Sequence, residues 1–144
     1  MRLRQFHAAA GGLAIAAFVL SGQYMHWSLG HLRDMPDVPR LMYRSAHIYL
    51  LMAGLINVAL GLYLQVQGAQ RARWAQIIGS VLLMAAPVFF GWSFWMESQQ
   101  ASIERHFLRL GIYACFGGVA AHVAAAWLAR VRVKSAVSTS SGQV

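Results

Sequence analysis

Residues 74–96 read WAQIIGSVLLMAAPVFFGWSFWM, a run without a single Asp, Glu, Lys or Arg. Wound as a helix at 1.5 Å per residue, a stretch of this length crosses the ~30 Å of hydrocarbon in a bilayer. Trp74 stands at one end and Trp92 and Trp95 near the other, where an amphipathic indole meets the headgroup layer. Working outward, three further runs have bilayer length: 6–27, 41–65 and 103–128. Trp27 and Trp127 fall near ends of the first and last. Backbone groups surrounded by lipid must pair within their own segment, so each run is expected to be a helix. The fold class that follows is all-α: a polytopic membrane protein built as an up-down bundle of four transmembrane helices.

Composition agrees. Hydrophobic residues make up 58% of the 144-residue chain and charged residues only 11%, against about a quarter charged in soluble domains. One domain is expected, the four-helix unit at 1–134. The Ser- and Thr-rich end at 135–144 has no core pattern and is expected to be a disordered cytoplasmic tail. The 28–40 connection holds Gly30, Pro36 and Pro39 and is expected to be a loop. The short connection at 66–73 makes helices two and three neighbours.

The formal charge is +8. Its arginines cluster between apolar runs, which argues for topology and anionic lipid headgroups and against nucleic acid. Arg2, Arg4, Arg71, Arg73, Arg130, Arg132 and Lys134 fall on one side; Arg33, Arg40 and Arg105 fall on the other. Seven against three predicts cytoplasmic N- and C-termini, in the inner membrane of a bacterium. The first apolar run exceeds a signal-peptide core, and no small-x-small cleavage site follows it, so it is expected to remain as a helix.

Small residues mark the expected helix contacts: Ala8, Gly12 and Ala16 in the first helix, Gly54 and Gly61 in the second, and Gly111, Cys115 and Gly118 with His122 in the fourth. Pro87 should kink the third helix, most simply as a packing feature.

Polar groups within such runs are costly and need a partner or a purpose. Arg44 and His47, three apart in helix two, share a face that continues to Gly54, Asn57 and Gly61. Glu97, at the end of helix three, is the candidate partner of Arg44. Gln23, Tyr24, His26, His31, Glu104, Arg105, His106 and Arg109 join them in a polar, histidine-rich vestibule on the outer side. Ordinary interfacial polarity accounts for this cluster; three chemical readings stand beside it. A b-type haem would be held by His47 and His106, with Arg44 free for a propionate. Counted from the run limits, His47 lies about 4–5 Å deeper than His106. The inner pair, His7 and His122, differs by about 9–10 Å on the same count, a poorer match. A transition metal would use His26 and His31, provided the loop between them folds back. An anion would be held by Arg44. His122 is expected to be a neutral histidine bonded across a helix interface.

The pair Phe6-His7 near the start of helix one, in a four-helix chain, resembles the small haem-associated bundles related to the copper-resistance D family. The resemblance covers spacing and topology, implies haem as a cofactor, and carries no site residues over. The function expected first is a non-enzymatic accessory or assembly component of the inner membrane, its partners being the bilayer and another membrane protein or a second copy. A haem- or quinone-linked redox protein is the alternative, and an oligomeric anion carrier the third.

Overall fold

The computed structural model describes residues 2–100 and 104–140, with side chains up to Val131. It is all-helical: α1 (Arg2–Trp27), α2 (Asp37–Tyr63), α3 (Gln70–Trp92) and α4 (His106–Ser140), with a single 3-10 turn at Gly30–Leu32 and a π-turn at Ser93–Glu97 closing α3. All four helices are long and apolar enough to cross a membrane.

Helices α1, α2 and α3 begin earlier than hydropathy suggests, and α4 begins at His106. Helix α2 starts at Asp37, so Pro39 lies in its first turn, where the missing N–H is one that the helix leaves unpaired anyway. Helix α3 starts at Gln70 and takes Arg71 and Arg73 into its first turn. Helix α4 continues through Ser140, into the stretch expected as a tail; residues 141–144 of that tail, and residue 103 at the expected start of the fourth helix, lie outside the described residues.

The bundle is two tight pairs, α1 on α2 and α3 on α4, joined mainly through α2 and α3. Glycine makes the first pair close. A Cβ on Gly11 would stand 2.6 Å from the Val58 nitrogen, and one on Gly54 3.2 Å from the Ile15 nitrogen. In the second pair a Cβ on Gly118 would meet Leu83 Cγ at 2.6 Å, and one on Gly79 the Gly118 oxygen at 2.8 Å. The expected stripes of α2 and α4 are therefore packing faces. The α1 ladder is different: Gly12 and Ala16 point outward, nothing lies within 4 Å of a Cβ on Gly12, and the buried face runs through His7, Gly11 and Ala14.

The interior is small and polar, and the exterior large and apolar. Ala46, Ala53, Ala72, Ala86, His7, Asn57, Ser80 and Ser93 are fully buried. Leu13 and Phe116 are 73% and 74% exposed, and Leu55 and Val88 also face outward, so all four helices present bulky apolar groups to the surroundings.

Candidate functional site

Pro87 is where the site starts. A proline at this position has no N–H for the carbonyl four residues earlier, that of Leu83. The structure fills the gap from another helix: Asn57 Nδ2 donates to Leu83 O at 2.8 Å and to Ala53 O at 2.9 Å. Both acceptors are carbonyls, so the amide nitrogen must face them and Oδ1 must face the other way. It lies 2.7 Å from His7 Nδ1. Oδ1 only accepts, so His7 Nδ1 carries the hydrogen, and in the neutral ring Nε2 is a bare lone pair. That nitrogen is buried and has no hydrogen-bond partner.

His122 on α4 completes the group. Its ring centre is 6.1 Å from that of His7, edge to face at 65°, and its Nε2 lies 3.2 Å from Ser80 Oγ on α3. One polar cluster thus takes a residue from each helix: His7, Asn57, Ser80 and His122. The role expected for His122, bonding across a helix interface, is what Ser80 gives it. The expected depth mismatch between His7 and His122 is overturned. Depth had been counted from hydropathic limits at 6 and 128, but both helices run past those limits, and packing sets the register. Arg4 fixes the start of α1 by donating from Nε to Gly61 O at 3.1 Å and from Nη2 to Leu62 O, at the end of α2.

The other end of the bundle is arranged differently from expectation. Glu97 is buried, and its carboxylate accepts the Phe107 N–H at 2.6 Å and the Leu108 N–H at 3.2 Å, capping the first turn of α4. A carboxylate is favoured at a helix N-terminus by the unpaired donors and by the dipole. The π-turn carries it inward, leaving Trp95 and Met96 outside. Arg44 is exposed and is not its partner. The arginine that enters this end is Arg105, whose Nη1 donates to Ser45 Oγ at 2.5 Å and Nη2 to Met42 O at 3.0 Å. Burial pushes its guanidinium below the ordinary value, and the negative charge of Glu97 acts against that shift.

His47 turns toward α1 while Arg44 turns out. Ser21 Oγ donates to Phe18 O at 2.9 Å and lies 2.9 Å from His47 Nδ1, so the imidazole donates to the serine. Its ring stacks on Phe18 at 4.1 Å. His106 is exposed, 3.7 Å from Glu104 and 3.0 Å from Arg109. The structure does not bring His47 and His106 together: His47 turns to Ser21 and Phe18 on α1, and His106 stays exposed beside Glu104 and Arg109. His26 and His31 do meet, with ring centres 4.0 Å apart. The loop folds back through three successive residues with positive φ: Gly30 (54°), His31 (59°) and Leu32 (61°). The non-glycine members cost roughly 1–2 kcal/mol each; burial of Leu32 in the core offsets that cost. Both histidines are exposed. Among the described residues no group of three or more His, Cys, Asp or Glu side chains converges as a metal site.

Sequence reasoning placed Asn57 and His122 in the interior but missed their connection. The signal was present in the i−4 arithmetic from Pro87 to Leu83.

Comparison with protein families, curated proteins and solved structures finds no match to this chain.

Proposed function

We propose that the chain is an integral, multi-pass protein of a bacterial inner membrane, an up-down bundle with both termini in the cytoplasm, that works as a non-enzymatic accessory or assembly component by seating a helix of another membrane protein. The inverted composition supports the membrane setting, since a water-soluble bundle buries its leucines and phenylalanines instead. The observation that carries the accessory role is a lateral cavity of about 400 Å³ where α1 and α3 diverge, lined by Ala10, Ala14, Ala17, Met84, Val88 and Gly91 among others. Nothing lies within 4 Å of a Cβ on Gly91. Small residues at the floor of such a groove let a second helix approach closely, which is how helices associate where the solvent is already apolar.

The test is a photo-crosslinking residue at Val88, in the groove, and at Tyr113, on the exposed face of α4, in living cells. Val88 should give a protein adduct of one discrete mass and Tyr113 only lipid. Gly91→Leu puts a side chain into the groove from a position whose Cβ meets nothing within 4 Å, and should abolish the Val88 adduct. An adduct that survives Gly91→Leu, or lipid labelling alone at Val88, overturns the accessory reading.

A further inference from the structure

The buried lone pair of His7 is the least expected feature of the bundle. Asn57 forces it: with both amide hydrogens committed to carbonyls, Oδ1 demands the hydrogen of Nδ1 and leaves Nε2 bare. An unpaired polar atom in the interior costs about 1–3 kcal/mol, and it is retained beside a second imidazole. The spacing of the two rings narrows what they share. A direct N–H···N bond, about 3 Å between nitrogens, would bring the ring centres to about 5 Å. An ion about 2.0–2.1 Å from each of two nitrogens sets the ring centres about 5 to 6.5 Å apart as the N–metal–N angle opens from tetrahedral to linear. The observed separation is 6.1 Å.

We propose that His7 and His122 are the protein ligands of one late first-row transition-metal ion, with Ser80 and water completing its coordination. Imidazole is the donor such ions prefer when no thiolate is present. The Asn57 contact is what a ligating histidine needs behind it: its second nitrogen donates to an oxygen, which fixes the tautomer and the ring orientation and makes the ligating nitrogen more basic. Ser80 holds His122 by the longest bond in the group, 3.2 Å, and stands where its hydroxyl can turn to the ion.

The site also has a way in. A cavity of about 280 Å³ opens among the end of α2, the following loop, α3 and α4. Gln65, Gln67 and Gln76 line it together with His122. Gln76 shapes its wall, donating to Gln65 O at 2.8 Å and accepting the Gln67 N–H at 3.1 Å. A hydrated ion entering from the end of the bundle that holds Arg4 therefore meets amide oxygens first and His122 next. The inference goes beyond the accessory role and stands without it.

The probe is zinc(II), followed by cobalt(II) for its spectrum, on full-length protein purified in detergent with a tag free of histidine. The exposed His26 and His31 would bind zinc adventitiously, so the parent carries His26→Ala and His31→Ala. The parent should retain one equivalent of zinc per chain, melt higher with zinc than without, and show cobalt d–d bands of a low-coordinate nitrogen site. His7→Ala and His122→Ala should each remove the bands and the melting shift, and Asn57→Ala should weaken binding 10- to 100-fold. Absence of saturable binding and of cobalt bands in the folded parent overturns the proposal, with no variant needed. So does unchanged affinity in the double variant His7→Ala with His122→Ala.

Discussion

Single residues decide this bundle where one side chain answers a defect in another helix. Asn57 supplies the donor that Pro87 removes from α3, so Asn57→Ala leaves Leu83 O and His7 Nδ1 unpaired together. The expected loss is about 1–3 kcal/mol, a buried hydrogen-bonding group left without its partner, read as a lower midpoint in a detergent-denaturation titration. Asn57→Ala behaving as wild type would mean that the amide is not the brace described. Arg44 and Arg105 give a second contrast. Arg44 is exposed, whereas Arg105 ties the start of α4 to Ser45 and Met42. Arg105→Ala should lower the same midpoint clearly, and Arg44→Ala should move it by less than about 0.5 kcal/mol, as surface changes usually do. The sequence pointed to Arg44 because it lies further from a helix end by residue count. Depth along a helix says nothing about rotation around it, and the face that His47 and Asn57 share turns Arg44 outward. Arg105 could not be read because its partners are a serine hydroxyl and a carbonyl, neither of which leaves a charge pattern.

Elements were the more legible scale, for a physical reason. Length and hydropathy report how much of a helix sits in an apolar environment, and all four helices were found from them. The glycine steps in α2 and α4 report where two helices must approach, and backbones do so at Gly54, Gly61 and Gly118, while Gly111 admits the ring of Phe90. The same rule misread α1, because spacing of small residues does not distinguish a packed face from a vacant one: Gly12 is open while Gly11, its neighbour, touches α2. These contacts predict an order of sensitivity. Gly118→Leu drives a side chain into Leu83 and the Gly79 carbonyl and should separate α3 from α4, costing more than the 1–3 kcal/mol typical of overpacking because backbone cannot yield. Ala124→Leu, on the exposed face of α4, and Gly12→Leu should leave the midpoint nearly unchanged. Equal midpoints for all three would show that the α3–α4 contact is not close. Helix α4 also depends on its cap. Glu97→Ala releases two first-turn N–H groups, and loss of a cap costs about 0.5–2 kcal/mol; Glu97→Gln, which keeps an acceptor oxygen, should recover part of it.

At the scale of the whole molecule, the question the fold leaves to charge is orientation, and the structure sharpens the count. Arg2, Arg4, Arg71, Arg73 and Arg130, with Arg132 and Lys134 beyond, flank the helix ends gathered around Gly61 and Leu62. The opposite helix ends carry Arg33 and Arg105 in the connections, Arg40 and Arg109 in the first turns of α2 and α4, and Arg44 at the end of the second turn of α2. Seven against five is a smaller asymmetry than the seven against three counted from hydropathic limits. The positive-inside rule counts Arg and Lys near helix ends and gives acids little weight, so Asp34, Asp37, Glu97 and Glu104, all at the five-arginine end, do little to restore the bias. The prediction is a native orientation with both termini cytoplasmic that is easily disturbed. A fluorescent protein fused after Val144 should mature and a phosphatase fused there should stay inactive, because the first works in the cytoplasm and the second outside it. Arg71→Ala with Arg73→Ala removes two charges from the short α2–α3 connection and leaves five at each end. That variant should insert in both orientations, so that both fusions become partly active. Moving the count the other way, Arg33→Ala with Arg44→Ala gives seven against three and should suppress residual phosphatase activity, at little cost to packing because both side chains are exposed. An active phosphatase and a dark fluorescent protein on the unaltered chain would reverse the orientation, and the zinc entry route with it, since the glutamine-lined cavity would then open outside the cell.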